Sequence, residues 1–149
     1  MISKTVEEYM EVIYELIKEK GYARTVDISS RLDVQPPSVT EMIQKLDENG
    51  FLVYEKYRGL KLTQKGEDLA KSVCQRHETL AAFLKIIGVD EKIAEEDACK
   101  IEHSINTITM NRLTKFVEFV QNAPHDPEWL EHFEFYVRTG KRIRCCDKD

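Results

Sequence analysis

The chain lacks what a secreted or membrane-bound protein needs. No apolar run is long enough to cross a bilayer and no apolar N-terminal stretch has signal-peptide character, so a cytoplasmic protein is expected, with no membrane partner. The four cysteines are Cys74, Cys99 and the adjacent pair Cys145 and Cys146, a distribution without disulfide-framework spacing, and free thiols are expected. There is no internal repeat and no low-complexity tract. Paired C-x-x-C and H-E-x-x-H spacings, the common signatures of zinc, are absent too. Nor is there an excess of base: Lys and Arg number 22 against 27 Asp and Glu, a net charge of -5 that argues at first against a nucleic-acid partner. The distribution softens this. Residues 18–66 hold nine basic and seven acidic residues, the remainder thirteen and twenty, so the excess acid lies outside that segment, where a cation could neutralise part of it.

A chain of 149 residues suits one domain, or two small lobes sharing a core. From Thr5, taken as an N-cap, the apolar residues Val6, Tyr9, Met10, Ile13, Tyr14, Leu16 and Ile17 recur at helical spacing until Gly21. A short helix over Thr25 to Leu32 and another opening at Pro36-Pro37 and stopping at Gly50 form a helix-turn-helix pattern. In FLVYEKYRGLKL, apolar and β-branched residues flank Arg58-Gly59, which predicts a two-stranded wing turning at that pair. Helices are then expected from Thr63 or Gln64 to about Ile87, Glu91 to about His103, Thr107 to Gln121, and Pro127 to about Val137, with a linker at 123–127. The fold class is therefore mainly α: a winged helix-turn-helix domain over residues 1–70, an all-α domain over 71–140, and a frayed tail over 141–149.

Metal-ligand residue types recur on three of these helices. Cys99, Glu102 and His103 stand at i, i+3 and i+4, so a thiol, a carboxylate and an imidazole share one helix face. Glu8 and Glu11 are three apart on the first helix, and His77 lies midway along the long one. Each piece alone has an ordinary reading: a solvated carboxylate face, a half-buried histidine, a helix with mixed polar residues. Cys74, one turn before His77, is expected to pack in a core.

Together with the helix-turn-helix and wing, these pieces give the chain a specific resemblance. Through EEYMEVIYEL, EKGYARTVDIS, PPSVTEMIQKLDENG, YEKYRGLKLTQKG, RHETL, IIGVDE and KIEH, residues 3 to about 122 resemble the metal-dependent repressors of the diphtheria toxin repressor and manganese transport regulator family, and the manganese branch most closely. The resemblance implies a transcriptional repressor, not an enzyme. It makes Glu8, Glu11, His77, Cys99, Glu102 and His103 the ligands of one ion, or of two sharing carboxylates. It also departs from both branches. The manganese branch typically has Asp at position 8 and Glu at position 99; the iron branch has the Cys but a Met in place of Glu8. Carboxylates and imidazoles suit Mn²⁺ or Fe²⁺, and the thiol favours softer ions, so Mn²⁺ or Fe²⁺ is expected with Co²⁺, Zn²⁺ or Cd²⁺ able to substitute. Ala81 stands where the iron branch's ancillary site needs a Glu, and its SH3-like third domain is not expected.

The implied partner is double-stranded operator DNA. Gln35, Pro36, Pro37, Ser38, Thr40, Gln44 and Lys45 would meet it on the recognition helix, and Lys56, Tyr57 and Arg58 on the wing. Apolar positions such as Leu80, Phe83, Leu84, Ile105, Ile108, Leu113, Phe116, Val117 and Val120 exceed what one small lobe buries, which points to a homodimer. Two rival readings share part of this pattern: a metal-independent winged-helix regulator, and an enzyme using the metal as a Lewis acid. The enzyme lacks a separate acid–base group.

Overall fold

The computed structural model describes residues 2–143; Cys145 and Cys146 lie outside them. Seven helices and one two-stranded sheet follow in the order α1 (Lys4–Lys20), α2 (Thr25–Leu32), α3 (Pro36–Glu48), β1 (Leu52–Glu55), β2 (Gly59–Leu62), α4 (Gln64–Ile86), α5 (Glu91–Ile101), α6 (Thr107–Gln121) and α7 (Glu128–Thr139).

Helix α1 starts earlier than expected. Ser3, not Thr5, is the cap, its hydroxyl accepting the Val6 N–H at 3.3 Å, which adds residues to the start of the helix ahead of Glu7 and Glu8. The helix ends at Gly21, in the left-handed region at φ 81°. A short link, in which Asp33 is left-handed at φ 52°, sets α3 against α2. Two prolines begin α3, where their missing N–H groups cost nothing. Strands β1 and β2 pair antiparallel from Leu52↔Leu62 to Glu55↔Gly59. The turn is Lys56-Tyr57-Arg58 and not Arg58-Gly59: Tyr57 takes the positive φ of 77°, and Gly59, also positive, already pairs with Glu55.

Thr63 caps α4 by accepting the Gly66 N–H. Gly66 has to be glycine, since a Cβ there would stand 1.8 Å from the Phe51 carbonyl oxygen. This close approach seats the first half of α4 on the winged core. That core gathers Tyr9, Met10, Ile13, Leu16, Ile28, Val39, Ile43, Leu46, Phe51, Leu52, Leu60 and Ala70 among its buried members. Fully burying an aliphatic side chain of this kind contributes roughly 1.5–3 kcal/mol. The second half of α4 packs Leu80 and Ala81 against Ala98 of α5 and Met110 of α6, with Ile105 and Leu113 alongside. One uninterrupted helix thus belongs to both lobes. Helix α5 stops two residues before His103, so Glu102 and His103 sit at its C-cap and in the turn beyond. No helix among the described residues is long and apolar enough to cross a membrane.

Candidate metal centre and nucleic-acid interface

Glu102 is the hub of the polar seam between the lobes. It is 1% exposed, and its two carboxyl oxygens reach different imidazoles: Oε2 stands 2.9 Å from Nδ1 of His77 on α4, and Oε1 3.1 Å from Nε2 of its neighbour His103. A carboxyl oxygen of Glu11 on α1 lies within 4.8 Å of the Glu102 carboxyl. Burial first, then the adjoining Glu11 carboxylate, push Glu102 well above the usual range, to about 9.

Cys99 stands on the solvent side of this cluster with Sγ 3.6 Å from His77 Nδ1. Partial burial, followed by the charges of Glu102, Glu11, Glu15 and Glu95, pushes its thiol up to about 11. One ligand atom each from His77, Cys99 and Glu102 lies within 4.8 Å of the others, and the same holds for Glu11, Glu102 and His103. A first-row ion bound at about 2.0–2.3 Å needs donors no more than roughly 4–4.6 Å apart, so both trios fit with slight contraction. They share Glu102. A thiol, two imidazoles and two carboxyls form a donor set suited to a divalent transition ion.

Glu8 is not in either trio. Its Oε1 faces Lys4 Nζ at 3.7 Å one turn back on α1, and the side chain is partly solvated. Its neighbour Glu7 takes the inward position instead. Glu7 is buried, with Oε2 2.9 Å from His103 Nδ1 and 2.9 Å from Arg76 Nη2, while Arg76 Nη1 donates to the Glu102 carbonyl at 2.9 Å. Arg76 Nε is buried without a hydrogen-bond partner. The Glu7-Arg76-His103 tie between α1, α4 and the end of α5 was not singled out from the sequence. The only signals for it were the doubled acid Glu7-Glu8 and the Arg76-His77 pair.

Glu95, one turn before Cys99, was also missed. Its carboxylate stands 2.5 Å from His77 Nε2 and accepts from Lys85 Nζ at 3.0 Å, and these two contacts hold it below the usual carboxylate range. Cys74 is half-buried and faces Glu11 and Glu15 on the wall of an open cavity of about 380 Å³; burial and those carboxylates push its thiol up to about 12.

The residues nominated for DNA are all exposed. On α3, Val39, Ile43 and Leu46 point into the core, which turns Gln35, Pro36, Pro37, Ser38, Thr40, Gln44 and Lys45 to solvent. Thr40 returns its hydroxyl to the Pro36 carbonyl at 3.2 Å. At the wing tip Lys56, Tyr57 and Arg58 are exposed, with Tyr57 at 95% and the Lys56 ammonium 5.5 Å from its ring centroid.

Residues 1–60 match the N-terminal DNA binding domain of the iron dependent repressor family, and residues 63–131 its metal binding and dimerisation domain. The chain is 48% identical over 131 residues to the HTH-type transcriptional regulator MntR of Lysinibacillus sphaericus, covering 88% of this chain and 94% of that protein. It is 48% identical over 121 residues to MntR of Bacillus subtilis, covering 81% and 85%. Among solved structures, the manganese regulator SloR superposes with a TM-score of 0.67 at 29% identity over 84% of this chain, which spans 58% of SloR.

Proposed function

The chain belongs to the iron dependent repressor family and is a metal-dependent, DNA-binding transcriptional regulator rather than an enzyme; from that premise we propose that it represses metal-uptake genes when Mn²⁺ or Fe²⁺ joins its two lobes. We assign Glu8, Glu11, His77, Cys99, Glu102 and His103 as the ligands, with Glu8 recruited from its contact with Lys4. The observation that carries this reading is the position of Glu102: a buried carboxyl between two imidazoles and a second carboxyl, contributed by α1, α4 and the end of α5. We place the boundary between DNA-binding and metal-binding portions inside α4, at about residues 70–71.

When bound, the ion supplies positive charge at the shared carboxyls and a fixed link between α1 and the end of α5. The chain's own residues do the rest. To hold the ion, the Glu102 carboxyl and the Cys99 thiol, both pushed up by burial, give up their protons. Helix α1 carries Met10, Ile13 and Leu16 into the core that also seats α3, so fixing α1 to the helical lobe fixes the recognition helix. In a homodimer, whose contact we assign to the exposed apolar residues of α6 and α7 because Leu80 and Val117 of the face expected from the sequence are buried within the protomer, this narrows the spacing and tilt of two recognition helices. By linkage, operator DNA then tightens metal binding by the factor with which metal tightens DNA binding.

The choice between Mn²⁺ and Fe²⁺ turns on Cys99. The carboxylates and the likeness to SloR favour manganese, whereas the thiolate favours the later, softer ion. The test is a DNA-binding titration with Mn²⁺, Fe²⁺, Co²⁺ and Zn²⁺ supplied separately, anaerobically and with thiols reduced, on duplexes selected from a random pool. Sequence-specific binding that tightens when Mn²⁺ or Fe²⁺ is supplied, at whatever free concentration each needs, is the expected result. Sequence-specific binding indifferent to every ion would make the chain a metal-independent winged-helix regulator.

A further inference from the structure

We propose that Glu95 is a positioning residue for the metal centre: it accepts the Nε2–H of His77 and thereby fixes Nδ1 as the atom that His77 offers to an ion. The inference rests on the ligand assignment made above and adds a residue outside it.

The two ring nitrogens of His77 face opposite surroundings. Nδ1 looks into the cluster, 2.9 Å from Glu102 Oε2 and 3.6 Å from Cys99 Sγ. Nε2 looks away from it and meets Glu95 Oε2 at 2.5 Å. A neutral imidazole has one N–H and one lone pair; both nitrogens of His77 face a carboxyl, and since the one facing Glu102 and Cys99 is the one an ion would take, the N–H falls to the side of Glu95. Glu95 puts the hydrogen on Nε2 and leaves the lone pair on Nδ1. A carboxylate in this position also makes the imidazole a stronger donor and holds the ring plane still.

Glu95 is itself held. Its second oxygen accepts from Lys85 Nζ at 3.0 Å, about two turns beyond His77 on α4, so the carboxylate is clamped between His77 and Lys85. Both oxygens are engaged, and they lie on the far side of the ring from Cys99 and Glu102. An ion at Nδ1 is therefore beyond the reach of Glu95, which acts through His77. The second imidazole is arranged in the same manner with its nitrogens exchanged: His103 turns Nε2 to Glu102 and Nδ1 to Glu7. Each histidine thus gives one nitrogen to the shared carboxyl and the other to a carboxylate outside the proposed ligands. Spacing on one helix could not reveal this, because Glu95 meets His77 only through the packing of α5 on α4.

The experiment uses the full chain, reduced, with Co²⁺ as the probe and its absorption spectrum as the readout. It compares the parent with Glu95→Ala, Glu95→Gln, Lys85→Ala and Cys99→Ala. Glu95→Ala is expected to weaken Co²⁺ binding by about 10- to 100-fold. Glu95→Gln, which keeps a neutral acceptor for the N–H, should recover part of the loss, and Lys85→Ala should lose least. Long-range ¹H–¹⁵N correlation spectra of the Zn²⁺-loaded parent should place the remaining imidazole proton of His77 on Nε2. Circular dichroism of the metal-free variants checks their fold; should Glu95→Ala fail to fold, the isosteric Glu95→Gln decides by its own loss of affinity. Parent-like Co²⁺ affinity in a folded Glu95→Ala, or a His77 proton on Nδ1 in the loaded protein, overturns the inference alone. A parent that binds no Co²⁺, or a Cys99→Ala variant with the parent's affinity and spectrum, overturns the ligand assignment beneath it.

Discussion

Leu16 on α1 and Phe119 on α6 are both large apolar side chains on amphipathic helices, yet Leu16 keeps 1% of its surface exposed and Phe119 keeps 68%. The same contrast separates the lobes. Among the described residues, fourteen buried apolar side chains form the winged core, and four form the helical one. Helix α7 buries none of its residues and is tied in through Trp129, whose ring stands 5.9 Å from Phe116. The winged lobe has its stabilising contacts within one protomer, which suits a rigid reader of DNA. The helical lobe leaves Ile108, Phe119, Tyr136 and Val137 in water, which suits a surface that a second copy completes. Both buried carboxyls among the described residues, Glu7 and Glu102, lie at the seam between the lobes and in neither core. A charge placed at the seam therefore changes the relation of the lobes without taxing the packing of either.

The largest expected effect would break that relation. Glu11→Ala or His103→Ala should remove the metal enhancement of DNA binding altogether, a coupling that in regulators of this kind is worth about 5- to 150-fold, while circular dichroism shows an intact fold. Metal-stimulated binding that survives either change would put the switch elsewhere. Next comes the contrast of cores. Leu16→Ala should cost about 2–5 kcal/mol in denaturant unfolding, as for large-to-small changes at fully buried sites. Phe119→Ala should stay within about 0.5 kcal/mol in the same assay and show its effect in sedimentation, as weaker self-association. Equal destabilisation by the two would mean that the helical lobe is not waiting for a partner.

Periodicity carried most of the fold. The bounds of α2 and α6 follow from caps and apolar spacing, because both helices end at local signals, Asp33 for one and Asn106 and Asn122 for the other. The wing turn was less legible: Arg58-Gly59 has turn chemistry, but pairing of Gly59 with Glu55 pushes the reversal onto Lys56-Tyr57-Arg58. Helix α5 stops early because the carboxyl of Glu102 and the imidazole of His103 are turned into the seam. Of the nominated ligands, the structure brings together Glu11, His77, Cys99, Glu102 and His103 and leaves Glu8 beside Lys4. Glu7, Arg76 and Glu95 could not be found from one helix at a time, since each acts across a helix–helix contact.

The seam should also respond to pH. Glu102 holds its proton in the folded, metal-free protein up to about 9, whereas an unfolded glutamate loses it near the ordinary value. Between those limits the folded state binds the extra proton, so the stability of the metal-free protein should fall as pH rises. Glu102→Gln should flatten that slope in thermal unfolding measured from pH 5 to 9; a slope that persists would assign it to another group. Metal uptake runs the opposite way, because Glu102 and the Cys99 thiol must be deprotonated, so affinity should climb with pH and protons should appear in a weakly buffered titration. Cys99→Glu should shift preference toward Mn²⁺ relative to Co²⁺ and abolish sensitivity to thiol alkylation. An unchanged ranking of ions would place the thiol outside the ligand set.

The smallest effect belongs to the winged lobe and tests whether its surface is separable from the seam. Lys45 stands on the exposed face of α3, one turn from its C-cap, where its carbonyl already serves the Asn49 side chain and only its ammonium is free to meet DNA. A phosphate contact contributes to every duplex alike and releases about one counterion. Lys45→Ala should therefore weaken binding uniformly across sequences and reduce the slope of log K against log salt by about one. Because Lys45 touches neither lobe's core nor the seam, the metal dependence of the variant should equal the parent's. A loss confined to one base pair would make Lys45 a reader of sequence, and an altered metal response would mean that the recognition helix and the seam are coupled through α3 itself as well as through α1.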